Sequence, residues 1–451
     1  MDYFGSFIKI VRSNWLILLT MIFSVAVGWL ASSRTLPFAN PDEGAHFFRT
    51  VEISRGVFIN SPGEIGTDIS CAEYVIIGHK YAPVAFYQDV SSRDDFNTNK
   101  CTVKTVNTAG AYSPVPYIFL APAEFIGRNL GWSVEKRLVT MRFFNFIGTT
   151  LICLAAFFLL SKQRSAFVLV TLSPLVLWLR ASVSADGVTI SLAILFLALV
   201  FSLYKKRYPP SWYDWIWLVF LAILIGSCKP TYALICFFSL LLCFSDWNRN
   251  FNRVRLIALT LIPVIVALAA SLFWIKAADP ALIYLGNNAH PNNQLSFILN
   301  NPLYFSSVIY KTIKMFGWDF MYQFWIPYTW VPTVAGSSIS TLLSVITLVV
   351  IGSTPTSLNK SERFCCIVLF IIISIAICTP LYLTYTPLGF SYILGLQGRY
   401  FIPPAFIILF GLMGISRRFL RTTLLFRELT SSILPLLICI WLIEKYLPGK
   451  G

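Results

Sequence analysis

Charge is scarce in this sequence. Only 12% of its 451 residues are charged, 57% are hydrophobic and the mean hydropathy is +0.71, which excludes an ordinary soluble globule. Histidine is scarcer still: His46, His79 and His290 lie far apart and match no metal-site spacing. There is no GxGxxG, Walker sequence, CxxC pair, HExxH or nucleophile elbow, so nucleotide binding, dithiol redox chemistry, zinc proteolysis and serine hydrolysis have no motif behind them. No A-x-A-like cleavage site follows the first apolar run, which is too long for a signal-peptide core and reads as a retained anchor.

What is present is hydrocarbon in long runs. Stretches such as 15–33, 256–275 and 364–385 are each long enough to cross about 30 Å of hydrocarbon as helices. The net charge of +15 raises the question of nucleic acid, but the basic residues report orientation instead. With the N-terminus inside, Lys9, Arg12, Lys162, Arg164, Lys205, Lys206, Arg207, Arg249, Arg253, Arg255, Lys360, Arg363, Arg417, Arg418, Arg421 and Arg427 all fall in short inner segments. The short outer turns at 182–186, 228–230 and 387–398 hold only Lys229. This is the positive-inside pattern, and it leaves nucleic-acid binding without support.

The resulting expectation is an all-α polytopic membrane protein with eleven spans: 15–33, 143–160, 166–182, 187–204, 212–227, 230–245, 256–275, 336–353, 364–385, 400–415 and 431–447. The chain forms one integral membrane domain, 1–451. Segments 34–142 and 276–335 are outer loops, and 336–451 supplies the last helices. The stretch 112–127 is expected to lie on the outer surface as a helix, because letting it span would put the basic clusters outside. Eight of the ten cysteines fall in or beside spans. Cys71 and Cys101 share the first outer loop, as a disulfide pair in an oxidising compartment or as two free thiols.

Polar chemistry concentrates where the chain first leaves the bilayer, in "FANPDEGAHFFRT" (38–50). Asn40 can cap a helix, Pro41 suits its first position and Glu43 sits where a capping-box partner belongs, which predicts a helix from Pro41 to about Arg55. On it Asp42, His46 and Arg49 form one stripe, with Glu43 at its edge. Acids that complement the helix dipole would explain the pair blandly. A membrane boundary is a costly place for ionisable groups, however, unless they line a polar cavity. Asp186 stands in an outer turn of a few residues, and Lys229 and Arg399 are isolated cations at outer helix ends. Either they snorkel or, around paired acids, they describe a site for an anionic phosphate beside a general base. "MFGWDFMYQFWIPYTW" surrounds Asp319 with aromatics, as an interfacial belt or a sugar-stacking surface.

The order of the blocks "PDEGAHFFR", "YSPVPYIFLAPAEFIGRNLGWSVEKRLVTMRFFN", "LSPLVLWLRASVSADG", "KPTYALICFF", "FGWDF" and "QGRYFIPP" resembles a bacterial membrane-protein family of unknown function that is similar to GT-C glycosyltransferases. The resemblance implies a GT-C-like fold spanning 15–275 with its periplasmic loop. It also implies a sugar taken from a polyprenyl-phosphate carrier and added to a lipid-linked or surface glycan, such as O-antigen, on the periplasmic face of the inner membrane. The family's catalytic carboxylates fall on Asp42 and Glu43. Within these blocks His46, Arg49, Tyr112, Asp186, Lys229, Trp318, Asp319, Gln397 and Arg399 are the candidate substrate-binding residues. Related lipid-A-modifying members read closer to PPLYY where this chain has "YSPVPY", which leaves the role of Tyr112 open. A second acidic position, a metal site in some members, falls on Asp186; one acid cannot make a metal site, so Asp42 would have to be the other ligand, and dependence on a divalent ion stays open. The alternatives are a lipid-linked sugar flippase, which predicts midplane charges and internal repeats that are not seen, and an O-antigen polymerase or ligase, which would rest on late-loop arginines where 276–335 has none.

Overall fold

The computed structural model describes residues 3–59, 65–66, 102–103, 109–160, 163–247, 252–278, 288–327, 331–415 and 423–447. Within these the chain is helical, apart from a minimal antiparallel ladder of β1 (Ile65–Gly66) and β2 (Thr102–Val103) that brings together two points of the first long loop. Cys71, Cys101 and His79 lie outside the described residues.

The helices follow in order: α1 (Tyr3–Arg34), α2 (Glu43–Ser54), a 3₁₀ turn (Val115–Tyr117), α3 (Leu120–Asn129), α4 (Val134–Leu160), α5 (Arg164–Thr171), α6 (Pro174–Arg180), α7 (Asp186–Tyr204) and α8 (Trp212–Cys228). A 3₁₀ helix (Pro230–Phe244) precedes α9 (Arg253–Ala277), α10 (Pro291–Asn300), α11 (Pro302–Trp325), α12 (Thr333–Ser353) and α13 (Lys360–Thr384). A 3₁₀ turn (Gly398–Phe401) then leads into α14 (Ile402–Leu412), and α15 (Leu424–Tyr446) ends the described chain.

Among the described residues, six helices are long and apolar enough to cross a membrane: α4, α7, α9, α12, α13 and most of α15. Four more expected spans are shorter apolar helices, namely Leu18–Arg34, Trp212–Cys228, Pro230–Phe244 and Gly398–Leu412. The expected span 166–182 is broken into α5 and α6. Pro174 has no N–H to donate and its ring clashes with the preceding turn, so Ser173 turns extended at φ −60°, ψ 150°. Pro230–Phe244 compensates for its shortness by its winding: at about 2 Å rise per residue, a 3₁₀ helix of this length reaches roughly 30 Å.

α7 forms the centre, with 78% of its most apolar stretch buried, whereas only 22% of that of α13 is buried. The outward side chains of the peripheral helices are themselves apolar, as at Ile265, Phe273, Phe364 and Ile371, a surface that suits lipid hydrocarbon and not water. α8 and α9 approach closely at Gly226, where a Cβ would stand 2.1 Å from the Ala267 carbonyl oxygen.

Polar contacts separate the two ends of the bundle. At one end Arg164 pairs with Glu428 at 2.6 Å, Lys205 bonds Gln163, Tyr204 bonds Glu362 and Arg427 caps the Ser353 carbonyl. Every one of these residues lies in or beside a segment predicted to be inner. The acids and cations predicted to be outer gather at the opposite end.

The stretch 276–335 is more structured than a loop. α11 runs beside the segment 389–398, tied to it by Tyr304 Oη donating to Gly389 O (2.9 Å), Ile393 N–H donating to Thr312 Oγ1 (2.9 Å) and Gly398 N–H donating to Gln323 Oε1 (3.0 Å). This strap delivers Arg399. The expected surface helix 112–127 is realised as the turn Val115–Tyr117 followed by α3, because Pro114 and Pro116 interrupt helical hydrogen bonding ahead of it.

Candidate functional site

The turn after α1 is fixed by a buried ion pair. Arg142 of α4 donates from Nε to Glu43 Oε1 (2.8 Å) and from Nη2 to Glu43 Oε2 (2.6 Å), and both side chains are fully buried. The same guanidinium caps the carbonyls of Ser32, Thr35 and Leu36 at the end of α1. Glu43 also accepts from Asn40 Nδ2 (2.6 Å) and from the backbone N–H of Val183 (3.1 Å), three residues before Asp186. One carboxylate thereby joins α1, α2, α4 and the turn leading into α7.

This departs from two expectations. Glu43 is enclosed and its oxygens are engaged by four donors, an arrangement that suits a carboxylate holding the scaffold rather than one meeting a substrate. Asn40 does not cap α2; it serves Glu43, and the helix begins at Glu43 with Asp42 before it at φ 61°, ψ 7°. That left-handed conformation is one that Asp tolerates better than most residues. It turns the Asp42 side chain away from the buried cluster.

Asp42 emerges 60% exposed, and its Oδ2 accepts from Arg399 Nη2 at 2.7 Å. Arg399 itself is only 6% exposed, and its Nη1 lies 3.5 Å from Asp186 Oδ2. Asp186 in turn accepts from Lys229 Nζ at 2.5 Å. Four residues from four separate segments thus form one chain of alternating charge, Asp42, Arg399, Asp186, Lys229. Neither cation simply snorkels. The Nε of Arg399 and the Oε1 of Gln397, both buried, have no hydrogen-bond partner, and both residues line the same narrow gap with Pro41, Trp178 and Gln323.

Three tyrosines surround the ammonium of Lys229, with ring centroids at 5.9 Å (Tyr112), 6.0 Å (Tyr232) and 5.5 Å (Tyr400), so cation–π attraction adds to the ion pair. Tyr232 Oη also donates to the Tyr400 carbonyl (2.9 Å), which ties the 3₁₀ helix to the arginine's turn. A cavity of about 500 Å³ opens from this cage between α8, α9 and α13; Tyr112, Lys229 and Tyr400 stand at its polar end, and Trp274, Ile377 and Leu381 are among its apolar walls.

His46 faces the acids from α2. Its Nδ1 shares a 2.7 Å hydrogen bond with the Tyr117 hydroxyl. Burial pulls its pKa down to about 4, against the opposing pull of Asp42 and Asp186. The imidazole is therefore neutral at physiological pH. Burial likewise raises Tyr117 well above its ordinary value, so its hydroxyl stays protonated.

The family model described as a predicted membrane protein, DUF2142, matches residues 23–408. The chain belongs to that family. No curated protein and no solved structure matches it. The matched span contains the whole chain of charges from Asp42 to Arg399.

Of the residues expected at a site, the structure brings together Asp42, His46, Tyr112, Asp186, Lys229, Gln397 and Arg399. Arg49 is not among them, because it turns inward to bond Glu52, Tyr112 O, Val57 O and Phe58 O. Its stripe with Asp42 fails because Asp42 stands outside the helix. Trp318, 77% exposed, and the exposed Asp319 lie on the outer face of α11, away from the charges. No group of three metal-ligating side chains occurs among the described residues, and Asp42 and Asp186 both face guanidinium or ammonium groups. Tyr117, Arg142, Tyr232 and Tyr400 were not singled out from sequence. For Tyr232 and Tyr400 the signal was present, since each follows its cation within "KPTY" and "GRY".

Proposed function

We propose that this membrane protein is a GT-C-type glycosyltransferase whose eleven apolar segments cross the bacterial inner membrane. Asp42 is its general base on the periplasmic face. The observation that carries the reading is the continuity between an exposed carboxylate, one buried and one half-buried cation, and an apolar cavity. A polyprenyl-phosphate sugar has the same sequence of parts: a reacting sugar, a phosphate and a hydrocarbon tail.

The tail lies in the cavity lined by Trp274, Ile377 and Leu381, and the phosphate meets Lys229 and Arg399. Asp42 takes the proton of the acceptor hydroxyl as its oxygen bonds to the anomeric carbon. The bond from that carbon to the phosphate oxygen breaks, and the electron pair leaves with polyprenyl phosphate, inverting the anomeric centre. The charge that develops on the departing phosphate is met by the two cations, where a charge-assisted contact is strongest. Neutral His46 keeps the surroundings of Asp42 from gaining a further positive charge at working pH.

Asp42→Asn tests the assignment, because the amide keeps size and shape but cannot take the proton. Transfer of sugar from a polyprenyl-phosphate donor by the purified protein should fall by about 10²–10⁴, with the thermal midpoint in detergent close to the parent's. A variant that transfers at the parental rate removes Asp42 as the base.

A further inference from the structure

A second cavity, of about 530 Å³, lies on the other side of Tyr117 from the charged site. It is a groove between the end of α2 and α3, walled by Ile53, Val115, Ile118, Ala121, Phe125 and Ile126. Its two hydroxyl-bearing residues have their oxygens engaged elsewhere: Ser54 Oγ donates to Val51 O (2.7 Å), and the Tyr117 hydroxyl is taken by His46. No lining side chain offers a free hydrogen-bonding group. Hydrocarbon fits such a wall, and a sugar or a peptide backbone does not.

The groove's rim is cationic. Arg128 leans over the Phe125 ring at 5.8 Å and, among the described residues, reaches the Ser54 carbonyl at 3.5 Å. The neighbouring carboxylate, Glu124, is buried and held bidentately by Arg137. Arg55 stands close enough that burial and the positive charge of Arg128 both push its pKa below the ordinary arginine value. Beyond the rim, Val57, Phe58, Ile59 and Leu130 extend the apolar surface outward, as an interfacial helix requires.

We infer that this groove binds one acyl chain of an anionic phospholipid of the phosphatidylglycerol type, with the headgroup phosphate at Arg128. Charge complementarity decides the occupant: a zwitterionic lipid would satisfy the walls, but the ammonium of its headgroup offsets the phosphate that the cationic rim would meet. This inference is independent of the catalytic reading.

The test uses the full chain in nanodiscs containing a trace of photoreactive phosphatidylglycerol or, in parallel, photoreactive phosphatidylcholine, with labelled residues mapped by mass spectrometry. The parent should be labelled within 114–126, with phosphatidylglycerol favoured. Arg128→Gln should lower that preference about fivefold, and Ala121→Trp should abolish labelling by filling the groove. Ile118→Gln, at an exposed wall position, is the second variant should Ala121→Trp fail to fold, and should weaken labelling. Equal labelling by the two lipids in the parent, labelling that survives both wall variants, or cross-linking of the groove to segment 67–101 in place of lipid would each overturn the inference.

Discussion

Glu43→Gln separates a structural carboxylate from a catalytic one. Glu43 accepts four hydrogen bonds, two from Arg142 and one each from Asn40 and Val183. The glutamine amide can accept only at its oxygen, so it presents a donor to a guanidinium that also donates, in a fully buried position. Removing one partner of a buried pair costs about 3–5 kcal/mol, chiefly because the other charge is left uncompensated. The variant should unfold in detergent several degrees below the parent, as followed by tryptophan fluorescence, and should lose extractable folded protein. Arg142→Leu should cost a similar amount. Glu43→Leu combined with Arg142→Leu should be less destabilised than the sum of the two single leucine variants, since an apolar pair leaves no orphan charge. A Glu43→Gln protein as stable as the parent but unable to transfer sugar would refute the assignment of Glu43 to the scaffold.

Four further outcomes follow from the same contacts. His46 binds a proton more weakly folded than unfolded, so it costs stability as pH falls from about 6.5 towards 4 and costs nothing above that window; the up to about 3 kcal/mol involved should vanish from the pH dependence of unfolding in His46→Gln. Lys229→Ala removes the ammonium at the polar end of the cavity and should weaken donor use by about tenfold to a hundredfold while sparing acceptor use; equal loss on both substrates would place Lys229 in the scaffold only. Gly398→Ala places a Cβ 2.1 Å from the Phe320 carbonyl oxygen, and the displacement of the strap should cost about 1–3 kcal/mol and lower transfer through Arg399; a parental melting curve would refute it. For orientation, an impermeant thiol reagent should label a cysteine introduced at Asn292 from the periplasm and spare one at Lys206, and the reverse pattern would invert the proposed topology.

The site was legible through parity. Basic residues can be sorted into alternate loops without any knowledge of packing, and that sorting puts Asp42, Asp186, Lys229 and Arg399 at one end, which is where the structure joins them. Partnership was not legible. Adjacent helical residues point about 100° apart, but which of Asp42 and Glu43 faces outward depends on the left-handed turn at Asp42 and on Arg142, 99 residues away. Hydropathy also could not tell a 3₁₀ helix from an α-helix in 230–244, because both are uniformly apolar there, whereas the break at Ser173–Pro174 was visible in the proline and was read through. An isolated cation at an outer helix end looks the same whether it snorkels or pairs. What distinguishes the two is a carboxylate at the same height on another segment, and among the described residues Asp186 lies within reach of both cations. It follows that Asp186 holds the arrangement together: without it, among the described residues, Lys229 has no carboxylate partner and Arg399 keeps the exposed Asp42 alone, and the polar end of the cavity becomes two separate charges instead of one site.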